Sequence, residues 1–240
     1  MAMHGGQDAV MKSHHQYCPV AKAHEILGDR WTMLVVRELV AGLERFNEIA
    51  RGLPGIPRSL LVDRLRRLES VGVIERVDDG PKRRRYRLTD AGRELEAVVV
   101  AMGGWASKWA FGLPNEDELD PGLMLWWMQR RLNTDALPSE RTTIQFDFHA
   151  DRLIQFWFVI ERGEASVCLE DPGFDIGLVV TADLSTFYQV WLGRLTLRQA
   201  TVSGRLRVEG MPAHERAFST WFLWSPMADF VAEQLAMNRA

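Results

Sequence analysis

Two clusters of cations have the side chains and spacing to hold a polyanion. Arg58, Arg64, Arg66 and Arg67 fall within one short stretch, interleaved with Ser59 and Asp63. An arginine fork can take a guanine edge or a phosphate, and an acid can accept from cytosine. Downstream, Lys82-Arg83-Arg84-Arg85 sets four cations in a row, as a phosphate backbone or minor groove would require. Arg45 and Asn47, just upstream of the first cluster, are assigned to the same DNA-binding surface. No comparable grouping speaks for catalysis. His24, His149 and His214 are isolated, His4, His14 and His15 lie in an N-terminus without a pattern, and no metal-ligand spacing results. There is no phosphate-binding glycine loop, nucleophile elbow or Cys/His pairing. Asp147 and His149 share one face of an alternating run, which is what a solvated sheet face looks like. We therefore expect no enzyme, no cofactor and no metal.

The elements that would position these cations are legible. Ile26, Leu27, Met33, Leu34, Val35 and Leu39 recur at helical spacing with a break at Gly28-Asp29, predicting two helices, the second capped by Asp29. A short helix follows over 43–51, with Phe46, Ile49 and Leu53 on a buried face. Gly52-Leu53-Pro54-Gly55-Ile56-Pro57 cannot continue it. Arg58–Val71 resumes the period with Leu61, Leu65 and Leu68 inward, leaving Ser59, Asp63 and Arg66 outward. Two short helices about such a turn make a helix-turn-helix, whose second helix enters the major groove. Val73–Val77 then alternates as a strand, Asp78–Pro81 turns, and 82–88 returns, giving a basic hairpin, or wing. Thr89 caps a helix to about Ala110 with one long apolar seam: Leu95, Val98, Val99, Met102, Ala106 and Trp109. A small winged domain cannot cover that seam, so a two-fold homodimer is expected, matching a palindromic operator. Gly103-Gly104 either bends this helix or admits another.

The net charge of −3 conceals a division. Residues 1–112 hold 18 Lys+Arg against 14 Asp+Glu, a net of +4, whereas residues 113–240 hold 11 against 18, a net of −7. All four lysines lie in the first part and six of nine tryptophans in the second. The joint is expected at 112–121, which carries two prolines and four acids. With 47% hydrophobic and 25% charged residues, the composition is that of globular domains, and no apolar run reaches membrane-spanning length. Two cysteines make no disulfide framework and suit a cytoplasmic protein, and nothing at the start resembles a secretory signal. Cys18 stands before Pro19 at a predicted helix start, where a thiol can be acidified and oxidised; the alternative is a structural thiol near a dimer interface.

The second part predicts an α+β domain, its sheet mostly antiparallel. Asp120 caps a helix containing Trp126-Trp127, and Ile144, Phe146 and Phe148 alternate inward. Leu153–Ile160 is apolar on both faces and includes Phe156 and Phe158. Strands at 166–170 and 177–182 follow, then a helix capped by Asp183 with Phe187 and Trp191 inward. A helix at 195–203, a strand at 205–209, a helix bearing Phe218, Trp221 and Phe222, and a last helix complete it. So many large rings predict a cavity for an apolar ligand, held by Trp126, Trp127, Phe146, Phe148, Phe156, Phe158, Phe187, Trp191 and Trp221.

Many of these segments are familiar. Leu27-Gly28-Asp29-Arg30-Trp31-Thr32, Arg45-Phe46-Asn47-Glu48-Ile49, Gly52-Leu53-Pro54-Gly55-Ile56, Gly72-Val73-Ile74-Glu75-Arg76 and Tyr86-Arg87-Leu88-Thr89-Asp90-Ala91-Gly92 resemble the HxlR family of winged-helix regulators over residues 17–110. The resemblance implies a cytoplasmic homodimer on operator DNA, usually a repressor. It also implies an oxidant- or electrophile-sensing role for the cysteine matching Cys18 in some members. Pro57 and Arg58 stand where the family usually has Ser and Pro. In residues 140–230, Phe187–Arg194 and Ser203–Gly210 resemble the sterol-carrier-protein family, implying a tunnel for an acyl or sterol-like molecule. The expectation is a DNA-binding regulator tuned by a hydrophobic effector; the alternative is a lipid carrier or interaction module that uses the winged part only to dimerise.

Overall fold

The computed structural model describes residues 13–78, 80 and 84–237. The chain forms two compact units, 1–102 and 103–240, which part between Met102 and Gly103, inside a helix rather than at the proline-rich joint.

In the first unit, α1 (Pro19–Leu27) starts at Pro19 with Cys18 at its N-cap. Next, α2 (Thr32–Val40) begins two residues later than expected. Asp29 does not cap it; Trp31 is the N-cap, in the left-handed region at φ 78°. Asp29 instead accepts the Thr32 N–H through its backbone carbonyl at 3.1 Å and turns its carboxylate toward Arg64 at 3.6 Å. Then come α3 (Phe46–Gly52) and α4 (Arg58–Ser70). Leu61, Leu65 and Leu68 of α4 are buried together with Val35, Val36, Leu39, Ile49 and Leu53 of the preceding elements. This inward stripe at i, i+4 and i+7 is what fixes the rotation of α4 and turns its other side to solvent.

The hairpin pairs β1 (Ile74–Asp78) with β2 (Arg84–Leu88), antiparallel, from Ile74 opposite Leu88 to Asp78 opposite Arg84. Thr89 caps α5 (Asp90–Arg93), accepting from Gly92 N at 3.2 Å and donating to Gly72 O at 2.7 Å. The single helix expected here is interrupted at Glu94, and α6 (Leu95–Trp109) follows. No residue of α6 is buried, and Trp105 and Trp109 are more than 60% exposed.

In the second unit, α7 (Pro121–Gln129) precedes β3 (Thr142–His149), β4 (Leu153–Glu161), β5 (Glu164–Cys168) and β6 (Ile176–Asp183). Then follow α8 (Leu184–Trp191), α9 (Leu197–Val202), β7 (Leu206–Gly210), α10 (Pro212–Ala217) and α11 (Ala228–Met237). Asp120 and Asp183 both cap as expected, accepting from Leu123 N at 3.0 Å and Thr186 N at 2.9 Å. The five strands lie in the order β5-β4-β3-β6-β7. The sheet is mixed, because β6 runs parallel to β3 whereas the other neighbours are antiparallel. Residues 169–175 carry the chain from the edge strand β5 past β4 and β3 to β6. Phe218, Trp221 and Phe222 do not ride on a regular helix; Phe218 opens a single 3-10 turn and the chain extends beyond it. Gly103 and Gly104 serve the second of their two expected roles: added Cβ atoms would meet Met227 and Phe230, so these glycines admit α11 against α6.

Tyr188 locks the start of α7. Its hydroxyl donates to Asp120 O at 2.8 Å and accepts from Asp120 N at 3.1 Å. Burial foremost pushes the phenol up to about 12 from its ordinary 10.0, against the backbone N–H that favours ionisation. A raised folded-state value stabilises the fold at pH below 10.0, and this contribution is lost as pH climbs toward 12. We expect the second unit to lose about 2–3 kcal/mol over that alkaline window. Urea denaturation of wild type and Tyr188→Phe across alkaline pH checks this; the variant, weaker at neutral pH, should lack the alkaline decline.

Candidate nucleic-acid interface

The solvent side of α4 presents Ser59, Asp63 and Arg66, all exposed and within one helical face. Arg58 opens α4 directly after Pro57, whose extended backbone supplies the carbonyl for Leu61 N at 3.0 Å; no side chain caps the helix. Arg58 is held in place: its guanidinium donates to Asn47 Oδ1 at 2.7 Å and lies 5.3 Å from the centre of the Phe46 ring. Thus two of the predicted residues, Asn47 on α3 and Arg58 on α4, are one structure bridging the two helices. Arg45, exposed, precedes α3, its N–H donating to Glu48 at 3.2 Å. Arg67 is half-buried.

Three of the predicted cations have carboxylate partners within the unit. Arg64 is a brace: it donates to Arg30 O at 3.0 Å and faces Asp29 at 3.6 Å, tying α4 to the loop before α2. Arg84, at the start of β2, is 3.4 Å from Asp78. Arg85 and Arg87, two residues apart on one strand face, both reach Glu44, at 3.1 and 2.8 Å. Arg85 is therefore not simply turned outward, as expected from its place in a cationic run. Lys82 and Arg83, the predicted wing tip, lie outside the described residues. Glu44 was not among the expected site residues; 41 and 43 positions of sequence separate it from its partners, and nothing local marks the pairing.

Of the nine residues assigned to an apolar ligand, Phe146, Phe148, Phe158, Phe187 and Trp221 are wholly buried in one core. Their rings meet one another rather than a space. Phe146 lies 5.7 Å from Phe148, 5.6 Å from Phe187 and 6.2 Å from Phe158 between centroids. Phe156, Trp126 and Trp191 are also buried, the last 6.3 Å from Trp224, and Trp127 is half-buried against the same core. Cys18 is a free thiol and half-buried. Among the described residues no three His, Cys, Asp or Glu side chains gather as metal ligands would, and no helix is long and apolar enough to cross a membrane.

Residues 26–112 match the family model described as the HxlR-like helix-turn-helix. An HTH-type transcriptional regulator of Mycobacterium tuberculosis, Rv3095, is 46% identical over 92 residues, or 38% of this chain and 58% of that protein. YvaP of Bacillus subtilis, also an HTH-type transcriptional regulator, is 38% identical over 97 residues, or 39% of this chain and 90% of that protein. Among solved structures, the quinone-bound YodB of B. subtilis is 35% identical, covering 38% of this chain and 99% of that one at a TM-score of 0.34. The chain spans 58% of the length of the mycobacterial relatives it matches.

Proposed function

This chain belongs to the HxlR-like helix-turn-helix family, and on that premise we propose that it is a DNA-binding transcriptional regulator acting as a homodimer on a two-fold operator. The observation that carries this reading is the face of α4. Three buried leucines hold the helix down while Ser59, Asp63 and Arg66 stand in solvent, followed by a basic hairpin. That is the arrangement in which a helix offers side chains to base edges and a wing offers cations to phosphate. The homodimer is supported by α6, whose apolar side chains include none that is buried. A second copy is the simplest cover for such a stripe.

Repression, and control by an acyl or sterol-like effector in the second unit, form the finer part of the proposal. The effector is motivated by the aromatic content of residues 113–240 and by the resemblance of Phe187–Arg194 and Ser203–Gly210, within residues 140–230, to the sterol-carrier-protein family. The rings that would hold it pack on one another here, so an effector would have to open that core. Cys18 is the candidate redox residue of the same reading.

The test is Arg66→Ala. Arg66 is exposed on a face that packing does not use, so its removal leaves the fold intact. Operator affinity measured by fluorescence anisotropy should fall by about 1–3 kcal/mol if Arg66 reads a base, with discrimination relaxed at one position. Unchanged affinity would remove α4 from the interface.

A further inference from the structure

We infer that Glu44 is a positioning residue for DNA recognition: it clamps the wing against the helix-turn-helix and keeps Arg85 and Arg87 away from phosphate. The inference rests on the proposed DNA-binding function and adds to it a device that sets how much of the wing's charge is available.

Three bonds converge on this residue. Its backbone carbonyl accepts the Tyr86 N–H at 2.7 Å, extending the outer edge of β2 by one rung toward the start of α3. Its two carboxylate oxygens are then taken separately, Oε2 by Arg85 Nη1 at 3.1 Å and Oε1 by Arg87 Nε at 2.8 Å. Because Arg85 and Arg87 are i and i+2 on a strand, both point to the same side, and the anchored Glu44 lies between them. The carboxylate is about one-third exposed and both arginines are partly exposed, so the cluster sits at the surface where a polyanion could otherwise draw on it. One acid and two arginines present a single net positive charge instead of two. A phosphate that draws on these arginines must compete with a carboxylate already hydrogen-bonded to both and neutralising half of their charge.

The consequence is selective. Sequence-independent affinity grows with each phosphate neutralised, whereas base readout does not depend on it. A clamp that withholds two cations lowers attachment to arbitrary DNA and fixes where the wing stands relative to α4. The cleft beside the clamp, about 450 Å³ and lined by Glu44, Glu75, Tyr86, Arg87, Arg93 and Glu96, leaves the pair open to solvent on one side.

The experiment measures binding of the full chain to a mixed-sequence duplex across a salt series, for wild type, Glu44→Ala, Glu44→Gln and the triple variant Glu44→Ala/Arg85→Gln/Arg87→Gln. Each released arginine that finds a phosphate steepens the log–log salt slope by about 0.9. Glu44→Ala should therefore be steeper than wild type by up to about 1.8, losing roughly tenfold more affinity over about a fourfold rise in salt. The triple variant should return to the wild-type slope, because cations that were clamped contribute nothing when removed. Glu44→Gln keeps one acceptor oxygen and should fall between, and it decides the matter if thermal melts show Glu44→Ala unfolded. A Glu44→Ala slope equal to wild type, or a triple variant shallower than wild type, overturns the clamp. Wild type that shows no salt-dependent binding at all overturns instead the DNA-binding reading beneath it.

Discussion

Replacing Phe146 with alanine should cost the second unit about 3–5 kcal/mol, the largest effect of any single side chain considered. Phe146 is wholly buried at the centre of β3, flanked by β4 and β6. Its ring meets Phe148, Phe158, Phe187 and Phe218, the last at 6.4 Å, so truncation removes one ring and takes one neighbour from each of four others. Edge-to-face pairs contribute about 0.5–1.5 kcal/mol each beyond the area they bury. Because the surrounding rings are themselves fixed by a sheet and by α8, the space cannot close. Denaturant unfolding followed by tryptophan emission, dominated by the six tryptophans of residues 113–240, reads this directly. A loss under about 1 kcal/mol would mean that the core collapses freely, contrary to the packing described.

The second large effect belongs to the winged unit. Gly92, in α5, is buried, and a Cβ there would fall within the carbonyl oxygen of Val73, with Leu88 Cδ2 at 3.0 Å and Leu88 Cβ at 3.2 Å on the other side. The obstruction is backbone: Val73 O also accepts from Thr89 N at 3.1 Å, so it cannot turn aside without breaking the join between the hairpin and α5. Gly92→Ala should therefore destabilise this unit by about 3 kcal/mol, although alanine is the better helix former. Thermal unfolding compared with Ala91→Gly, a change at an exposed neighbour, separates the steric effect from helix propensity. Equal losses in the two variants would show that space at Gly92 is not the cause.

What was legible in the chain, and what was not, follows from the range of each interaction. The helices of the first unit, the hairpin and the Asp120 and Asp183 caps are set by neighbours within four residues or by simple alternation, and such signals lie on the sequence itself. The start of α2 was misplaced because Asp29 is a better cap by type, yet Trp31 takes the cap position in a left-handed conformation and Asp29 serves Arg64 across the fold. Alternation cannot tell a parallel from an antiparallel neighbour, so the pairing of β3 with β6 was invisible. Likewise the rings of the second unit could be counted but not placed; whether they surround a space or one another depends on packing. The candidate interface divides in the same way. Helical phase alone set Ser59, Asp63 and Arg66 outward, whereas the retention of Arg64, Arg84 and Arg85 by Asp29, Asp78 and Glu44 depends on partners that only the folded chain brings near.

The proposed attraction is that the exposed cations of α4, Arg58 and Arg66, together with the basic run of the wing sequence, draw the protein to DNA despite its negative net charge. The most direct measurement is the affinity of wild-type protein for duplex DNA as a function of salt. Log affinity should fall linearly with log salt, with a slope of several times 0.9, roughly one such step for each phosphate neutralised. Binding that is absent at low salt, or flat as salt rises, would contradict it.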